Sequence, residues 1–349
     1  MSNPWKGKTI LITGVCGTIG QELLNILIKL EPKEIIGLDN DETELFLLSE
    51  KCYGKLYIQL YLCDLRDRYE LMRKMRGVDI VLHAAALKHV ILCERSPREA
   101  IQTNVIGTQN VIDAAISASV ERVIFTSSDK AVNPTNVMGT SKLMGERLMT
   151  AANAHERDSR PIFASTRFGN VLGSRGSVIP IFKNQIAAGG PLTLTDSQMT
   201  RFIMTPKQAV QLVIESVFLA QGGEVFVTKM PVMRIADLAD VMIEEMSPLY
   251  NYSPSNIRVN LIGAKPGEKL YEELMNDEET RRTVELERYF MILPAFKSTY
   301  KSINYNHDTL VSDCVDKPYN SANEHPMSKE ELRDYLYKNN LLDSVKAKK

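Results

Sequence analysis

Along the first half of the chain, runs of consecutive apolar residues alternate with stretches of helical periodicity. The β-rich runs are Lys8 to Thr13, Glu34 to Asp39, Leu56 to Cys63, Val78 to His83, Val120 to Ser127 and Ile162 to Arg167. In several of them, such as Ile80-Val81-Leu82 and Val123-Ile124-Phe125, neighbouring positions are both apolar, so both faces of the strand must be covered. Strands of this kind sit between layers of helices, and the pattern predicts a doubly wound parallel α/β sheet. From about Gly173 the periodicity loosens into segments broken by Gly189-Gly190-Pro191, Met230-Pro231 and Lys265-Pro266-Gly267. A helix over Pro206 to Gln221 and a strand over Glu224 to Val227 are expected to return to the sheet. Near the end, Ser328-Lys329-Glu330-Glu331 has the Ser and Glu of a capping box and predicts a closing helix.

With 349 residues, 44% hydrophobic and 24% charged, the chain can bury one large core or two smaller ones. Its formal net charge is -1, and the only basic cluster is the tail Lys346-Ala347-Lys348-Lys349. Neither nucleic acid nor an anionic membrane is therefore an expected partner. No apolar run approaches the roughly 20 residues that cross a bilayer, and Met1-Ser2-Asn3-Pro4 leads into a strand without a signal-peptide core. A cytoplasmic protein is expected. Cys16, Cys52, Cys63, Cys93 and Cys314 are odd in number and scattered, which predicts reduced thiols, no disulfide framework and no metal centre.

Chemistry begins where the first strand ends, at Thr13-Gly14-Val15-Cys16-Gly17-Thr18-Ile19-Gly20. Glycines at this spacing between a strand and a helix let the backbone approach a pyrophosphate, which then lies against the positive end of the helix. The competing reading is a purely structural turn. Asp39 closes the next strand, where a carboxylate accepts both hydroxyls of an adenosine ribose and repels a 2'-phosphate, favouring NAD over NADP. Asp39 also suits an ordinary strand-end cap. Asp64 reads equally as an adenine contact or a turn residue, and Ala84-Ala85-Ala86 as room for a dinucleotide or as close packing. Lys88 and His89 follow a buried strand, where doubly wound folds collect ligands; a structural role for His89 is the alternative.

The sharpest signal is Ser128-Asp129-Lys130 followed by Met138-Gly139-Thr140-Ser141-Lys142. In short-chain dehydrogenases a Tyr commonly stands four residues, one helical turn, before the catalytic Lys, and here that place holds Met138. A thioether takes no proton, so either this is a degenerate oxidoreductase or the acid/base work has moved to Asp129 and Lys130. The second reading is preferred. A solvated turn pair is the bland alternative for Asp129-Lys130.

With these residues in place, the chain resembles the extended short-chain dehydrogenase/reductase superfamily over about residues 8 to 340. Within it the match is to sugar-nucleotide 4,6-dehydratases acting on nucleotide-linked N-acetylglucosamine. The resemblance rests on Gly14-x-x-Gly17-x-x-Gly20, Ala85-Ala86-Leu87-Lys88-His89-Val90, the run Ser128 to Gly139, and Arg167-Phe168-Gly169-Asn170-Val171-Leu172-Gly173-Ser174. It continues in Met199-Thr200-Arg201-Phe202 and in the run Lys265 to Glu273. Members with Tyr at the position of Met138 invert C5, and the branch with Met is associated with retention there; this chain resembles a soluble member of that branch.

The resemblance implies a Rossmann-type NAD-binding domain at residues 1–172, with 205–228 returning to it. It also implies a smaller, discontinuous α/β sugar-nucleotide domain at 173–204 and 229–300, an extension at 301–349, and a homo-oligomer. A UDP-linked N-acetylhexosamine substrate is expected, with a tightly bound, recycled NAD. Thr18, Ile19, Leu65 and Asn104 join the cofactor contacts, and Lys142 holds the nicotinamide ribose. Lys130 is the candidate base for the C5 proton, which requires a neutral amine and hence a lowered pKa. Asp129 protonates the departing C6 hydroxyl, Ser128 relays the C4 proton, and the group that first takes that proton is left open, Asp129 being one candidate. On the substrate side, the resemblance implies Lys88, His89, Asn170, Arg201, Arg258 and Glu268. UDP or GDP, an epimerase, and a non-catalytic NAD-binding regulator stay open as alternatives.

Overall fold

The computed structural model describes residues 3–155, 160–263, 266–297, 300 and 302–342. Met1, Ser2, Lys265 and the basic tail Lys346 to Lys349 lie outside the described residues. Six parallel strands, β1 (Thr9–Thr13), β2 (Glu34–Asp39), β3 (Ile58–Leu62), β4 (Ile80–His83), β5 (Arg122–Ser128) and β6 (Ile162–Phe168), fall within two residues of the apolar runs. Their order is β3-β2-β1-β4-β5-β6, the doubly wound arrangement, and the order reverses between β1 and β4. Ligands of such sheets bind outside the strand ends at that reversal.

Consecutive apolar residues serve opposite faces. Ile10 and Ile12 of β1 pack in one core cluster with Leu23, Leu24, Val210 and Val213, from the helices Thr18–Leu27 and Pro206–Leu219. Leu11 packs in another with Leu71, Val111 and Met149, from the helices Arg68–Lys74, Gly107–Ser117 and Val137–His155. Burying a side chain of this size contributes about 1.5–3 kcal/mol, so a strand apolar at every position is stable only with helices on both sides.

Beyond β6 the sheet continues with Val225–Thr228, parallel to it, and then with the antiparallel strands Tyr289–Ile292, Thr283–Leu286 and Leu310–Ser312. This differs from the expected division at 229–300 and 301–349, since three strands from those segments belong to the first domain's sheet. They are only three or four residues long, so their pairing leaves little periodicity to read. A separate apolar cluster gathers Phe182, Ile186, Leu238, Met242, Leu332 and Leu336 from the helices Val178–Ala187, Ile235–Met246 and Lys329–Lys338. The last of these starts at the Ser328/Glu331 capping box. All five cysteines are free, with Cys16, Cys63 and Cys93 buried. Among the described residues no helix is long and apolar enough to cross a membrane.

A buried polar cluster centres on Arg167. Arg167, near the end of β6, is 1% exposed and donates to both Glu146 oxygens at 2.9 and 2.7 Å and to both Glu279 oxygens at 2.8 Å. A further N–H reaches the Leu274 carbonyl at 3.0 Å. Replacing Arg167 by Leu leaves two buried carboxylates without their cation. The expected loss of stability is about 3–5 kcal/mol in urea unfolding, and a loss below about 1 kcal/mol would show that the cluster does not hold the fold.

Candidate active site

The cleft at the strand-order reversal has a floor without side chains. Gly14 has φ +70°, and a Cβ there would lie 2.7 Å from the Ala85 Cα, so only glycine lets the turn after β1 meet the turn after β4. A Cβ on Gly20 would lie 2.1 Å from the Gly14 carbonyl oxygen. Gly17 precedes the helix Thr18–Leu27, and a Cβ there meets only the Gly14 carbonyl oxygen, at 3.2 Å. The cleft encloses about 640 Å³, and its wall includes Gly14, Gly17, Thr18, Ile19, Gly20, Ala84, Lys88, Ser128, Asp129 and Lys142. Three residues of the wall carry buried polar atoms that no protein group satisfies: Ser127 Oγ, Asn170 Nδ2 and Ser177 Oγ. Such atoms cost free energy unless a ligand or water meets them. A bare glycine floor beneath a helix N-terminus, with unmet donors around it, fits a dinucleotide.

Other residues singled out for the cofactor lie outside this wall. Asp39 accepts from the backbone N–H groups of Cys16, Asn40 and Asp41 at 2.8, 2.9 and 3.1 Å, which fixes the turn around the glycines. Asp64 is paired with Arg66 at 2.6 Å, and that hydrogen bond is the largest influence holding its carboxyl below the usual range. Leu65 is buried against Gly107, where a Cβ would approach it to 3.0 Å. Asn104 lies in a wide π turn, Ile101–Ile106, that precedes the helix Gly107–Ser117. It accepts from Leu87 N at 2.8 Å and donates to Leu87 O and Ser141 Oγ, both at 2.9 Å, pinning the segment after Ala84 and Ala85.

At the end of β5, Asp129 is 1% exposed and accepts from Ser128 Oγ at 2.6 Å and from Lys130 N at 2.9 Å. The Lys130 ammonium reaches its two oxygens at 3.1 and 3.3 Å and Glu272 Oε1 at 3.2 Å. Burial favours the neutral amine of Lys130, but the carboxylates of Asp129 and Glu272 outweigh it and push its pKa up to about 12. The resting Lys130 is thus protonated, the reverse of the lowered pKa that the sequence led us to expect. Lys142 behaves in the opposite way: burial, opposed only by Glu146, brings it down to about 8. Its ammonium donates to the Thr126 carbonyl at 2.9 Å. Met138 is 3% exposed and packs with Cys93 and Ala100.

A second cavity, of about 580 Å³, adjoins the cleft, and His89, Lys130, Asn170 and Gly176 line both. Arg201, Glu268 and Glu272 complete its polar wall together with Lys269 and Asn136. Arg201 is 6% exposed, and its guanidinium donates to the carbonyls of Thr200, Lys269 and Leu270 at 2.7, 2.9 and 3.3 Å. It is therefore held by backbone, whereas the expected role was an open phosphate contact. Arg258 is exposed and lines neither cavity. Lys88 donates to the Arg175 carbonyl at 3.0 Å, and burial, with Arg175 nearby, lowers its pKa. Among the described residues no tyrosine lines either cavity.

Three residues of the site carried no assigned role in the sequence reading. Glu272 lies in the Leu270-Tyr271-Glu272-Glu273 run, where nothing distinguishes a buried carboxylate from an exposed one. Gly139 lets its helix touch the Lys130 backbone, since a Cβ would lie 2.1 Å from Lys130 O. Arg175 bridges the cleft by donating to Cys16 O and pairing with Glu44 at 3.2 Å. The glycines on either side of it, Gly173 at φ +72° and Gly176 at φ +73°, are the local signal of a special backbone there.

The protein named uncharacterized membrane protein MJ1061, from Methanocaldococcus jannaschii, is 51% identical over 294 residues, 84% of this chain and 88% of that one. An inverting UDP-N-acetylglucosamine 4,6-dehydratase of Campylobacter jejuni is 37% identical over 308 residues, covering 88% and 89% of the two chains. The X-ray structure of Pen from Bacillus thuringiensis superposes with a TM-score of 0.90 at 43% identity, covering 97% of this chain and 100% of that one. The family model described as polysaccharide biosynthesis protein matches residues 10–294. With that match over most of its length, and a Rossmann-type sheet beneath a glycine-floored cleft, this chain belongs to the polysaccharide biosynthesis protein family.

Proposed function

We propose that the protein is a UDP-N-acetylglucosamine 4,6-dehydratase that retains the configuration at C5 and works with a resident NAD. The observation that carries this reading is the meeting of the two cavities at Lys130, with Asp129 beside it and Met138 where a Tyr would otherwise act. NAD bound in the glycine-floored cleft would supply a hydride acceptor for C4 and a hydride donor for C6, so the reaction would be redox-neutral. Asp129 takes the C4 hydroxyl proton, relayed by Ser128 at 2.6 Å, and later gives it to the departing C6 hydroxyl. Lys130 handles the C5 proton. Lys142 holds the nicotinamide ribose and lends positive charge near the C4 oxygen. Asn170, with its unmet amide donor, and His89 and Lys88 face the diphosphate and sugar.

NAD is preferred to NADP because Asp39 places a carboxylate at the end of β2. UDP is preferred to GDP because the Campylobacter relative is named for UDP-N-acetylglucosamine, and a modified amino sugar for a surface glycan because of the family. The proposal includes a cytoplasmic homo-oligomer, on the family resemblance. An epimerase would share both cavities but return the hydride to C4 without losing water.

Incubated with UDP-N-acetylglucosamine, the purified protein should yield a product lighter by one water in mass spectrometry. A parallel incubation with GDP-N-acetylglucosamine assigns the nucleotide; an isomer of unchanged mass would indicate an epimerase. Asp129→Asn should lower kcat by about 10²–10⁴-fold with unchanged melting, and near-normal turnover would remove Asp129 from the mechanism. Met138→Ala should keep appreciable activity, since a thioether at the wall of the cleft takes no proton. Gly17→Val puts a side chain on the floor of the cleft at an ordinary φ of -69°. It should weaken NAD binding by at least about tenfold in calorimetry while the fold persists.

A further inference from the structure

A protonated Lys130 cannot abstract a proton, so the dehydratase reading leaves one question of chemistry open: where its proton goes. Four charged groups face one another at this point. Asp129 and Lys130 open the turn that follows β5, Arg201 comes from the strand Thr200–Met204, and Glu272 immediately precedes the strand Glu273–Met275. Two carboxylates balance two cations, and the Arg201 guanidinium is already held by three backbone carbonyls. Asp129 already accepts from Ser128 Oγ and Lys130 N and is engaged with the hydroxyl protons of the reaction.

Glu272 is differently placed. It is 2% exposed, its Oε1 lies 3.2 Å from Lys130 Nζ and 3.6 Å from Arg201 Nε, and its Oε2 is buried with no partner in the protein. Its backbone is held on both sides by Ser321, through Glu272 N to Ser321 Oγ and Ser321 N to Glu272 O, each 2.9 Å. The carboxylate is thus fixed within hydrogen-bond reach of the amine.

We propose that Glu272 is a positioning residue that receives the Lys130 proton during turnover, so that Lys130 meets the C5 hydrogen as a neutral amine. The inference rests on the dehydratase reading. An N–H bond of Lys130 breaks and an O–H bond forms on Glu272, converting an ion pair into a neutral pair without changing the charge of the site. The Lys130 lone pair then takes the C5 proton. The C5–H electrons form the C5–C6 double bond as the C6–O bond breaks, with the leaving oxygen protonated by Asp129. When C6 has been reduced, Lys130 returns its proton to C5 and recovers its own from Glu272. Burial and then the charge of Asp129 raise the proton affinity of Glu272, which narrows the gap to Lys130 that the transfer must cross.

The test compares wild type, Glu272→Gln and Glu272→Asp for kcat against pH, for the isotope effect with C5-deuterated substrate, and for melting. Glu272 must start ionised, so wild-type kcat should fall on the acid side at a pH above the ordinary carboxylate range. Glu272→Gln should lower kcat by about 100-fold, move that acid limb and raise the C5 isotope effect, while Glu272→Asp restores part of the rate and the limb. A wild-type kcat without an acid limb above the carboxylate range overturns the proposal without any variant. So does a Glu272→Gln protein that keeps the wild-type pH profile and isotope effect, whatever its melting point. A wild type that removes water from neither nucleotide sugar overturns the dehydratase reading itself.

Discussion

The buried guanidinium of Arg167 is the constraint on which the site depends. With no water to solvate it, each of its donors must find an acceptor in the protein, and the acceptors come from two distant parts of the chain, Glu146 and the segment of Leu274 and Glu279. Glu146 lies one helical turn beyond Lys142, Glu279 opens the segment after the strand Glu273–Met275, and Leu274 sits two residues from Glu272. Satisfying one cation thus places the helix of Met138 and Lys142, and the strand that follows Glu272, against β6. A poorer geometry at Arg167 would displace groups on both sides of the cleft.

The same physics, worked with different partners, separates the two lysines of the cleft, Lys142 buried and Lys130 partly exposed. Both lose hydration, which by itself favours the neutral amine. Lys142 has a carbonyl for a partner and a carboxylate only one turn away, so burial wins and its pKa falls to about 8. Lys130 touches two carboxylates, so its pKa rises to about 12. One lysine can thus lose its proton close to neutral pH and the other holds it firmly, although both line the same cleft.

Much of this was legible in the sequence. The spacing of Gly14, Gly17 and Gly20 marks places where a Cβ has no room or would occupy the cleft, and that demand is local, so it appears as glycine. Ile10, Leu11 and Ile12 announce a strand covered on both faces because every position must be apolar. Asp129 and Lys130 stood out by their place after β5. By contrast, Asp64 is held by Arg66, Arg201 by backbone carbonyls, and Arg258 faces solvent; a charged residue type says nothing about which partner, if any, will meet it. Glu272 and Arg167 were illegible for the same reason, since their partners lie far away in sequence.

By itself, then, the sequence determined the sheet order's raw material, the glycine floor and the substitution of a thioether for a phenol at Met138, because each follows from near neighbours or from a single side chain's chemistry. Only the tertiary structure decided that the strands Thr283–Leu286, Tyr289–Ile292 and Leu310–Ser312 close onto the sheet. It alone decided that Lys130 is an ammonium and that Glu272 stands 3.2 Å from it. Protonation depends on burial and on charges brought together across 142 positions of chain (272 minus 130), and no local pattern encodes that distance.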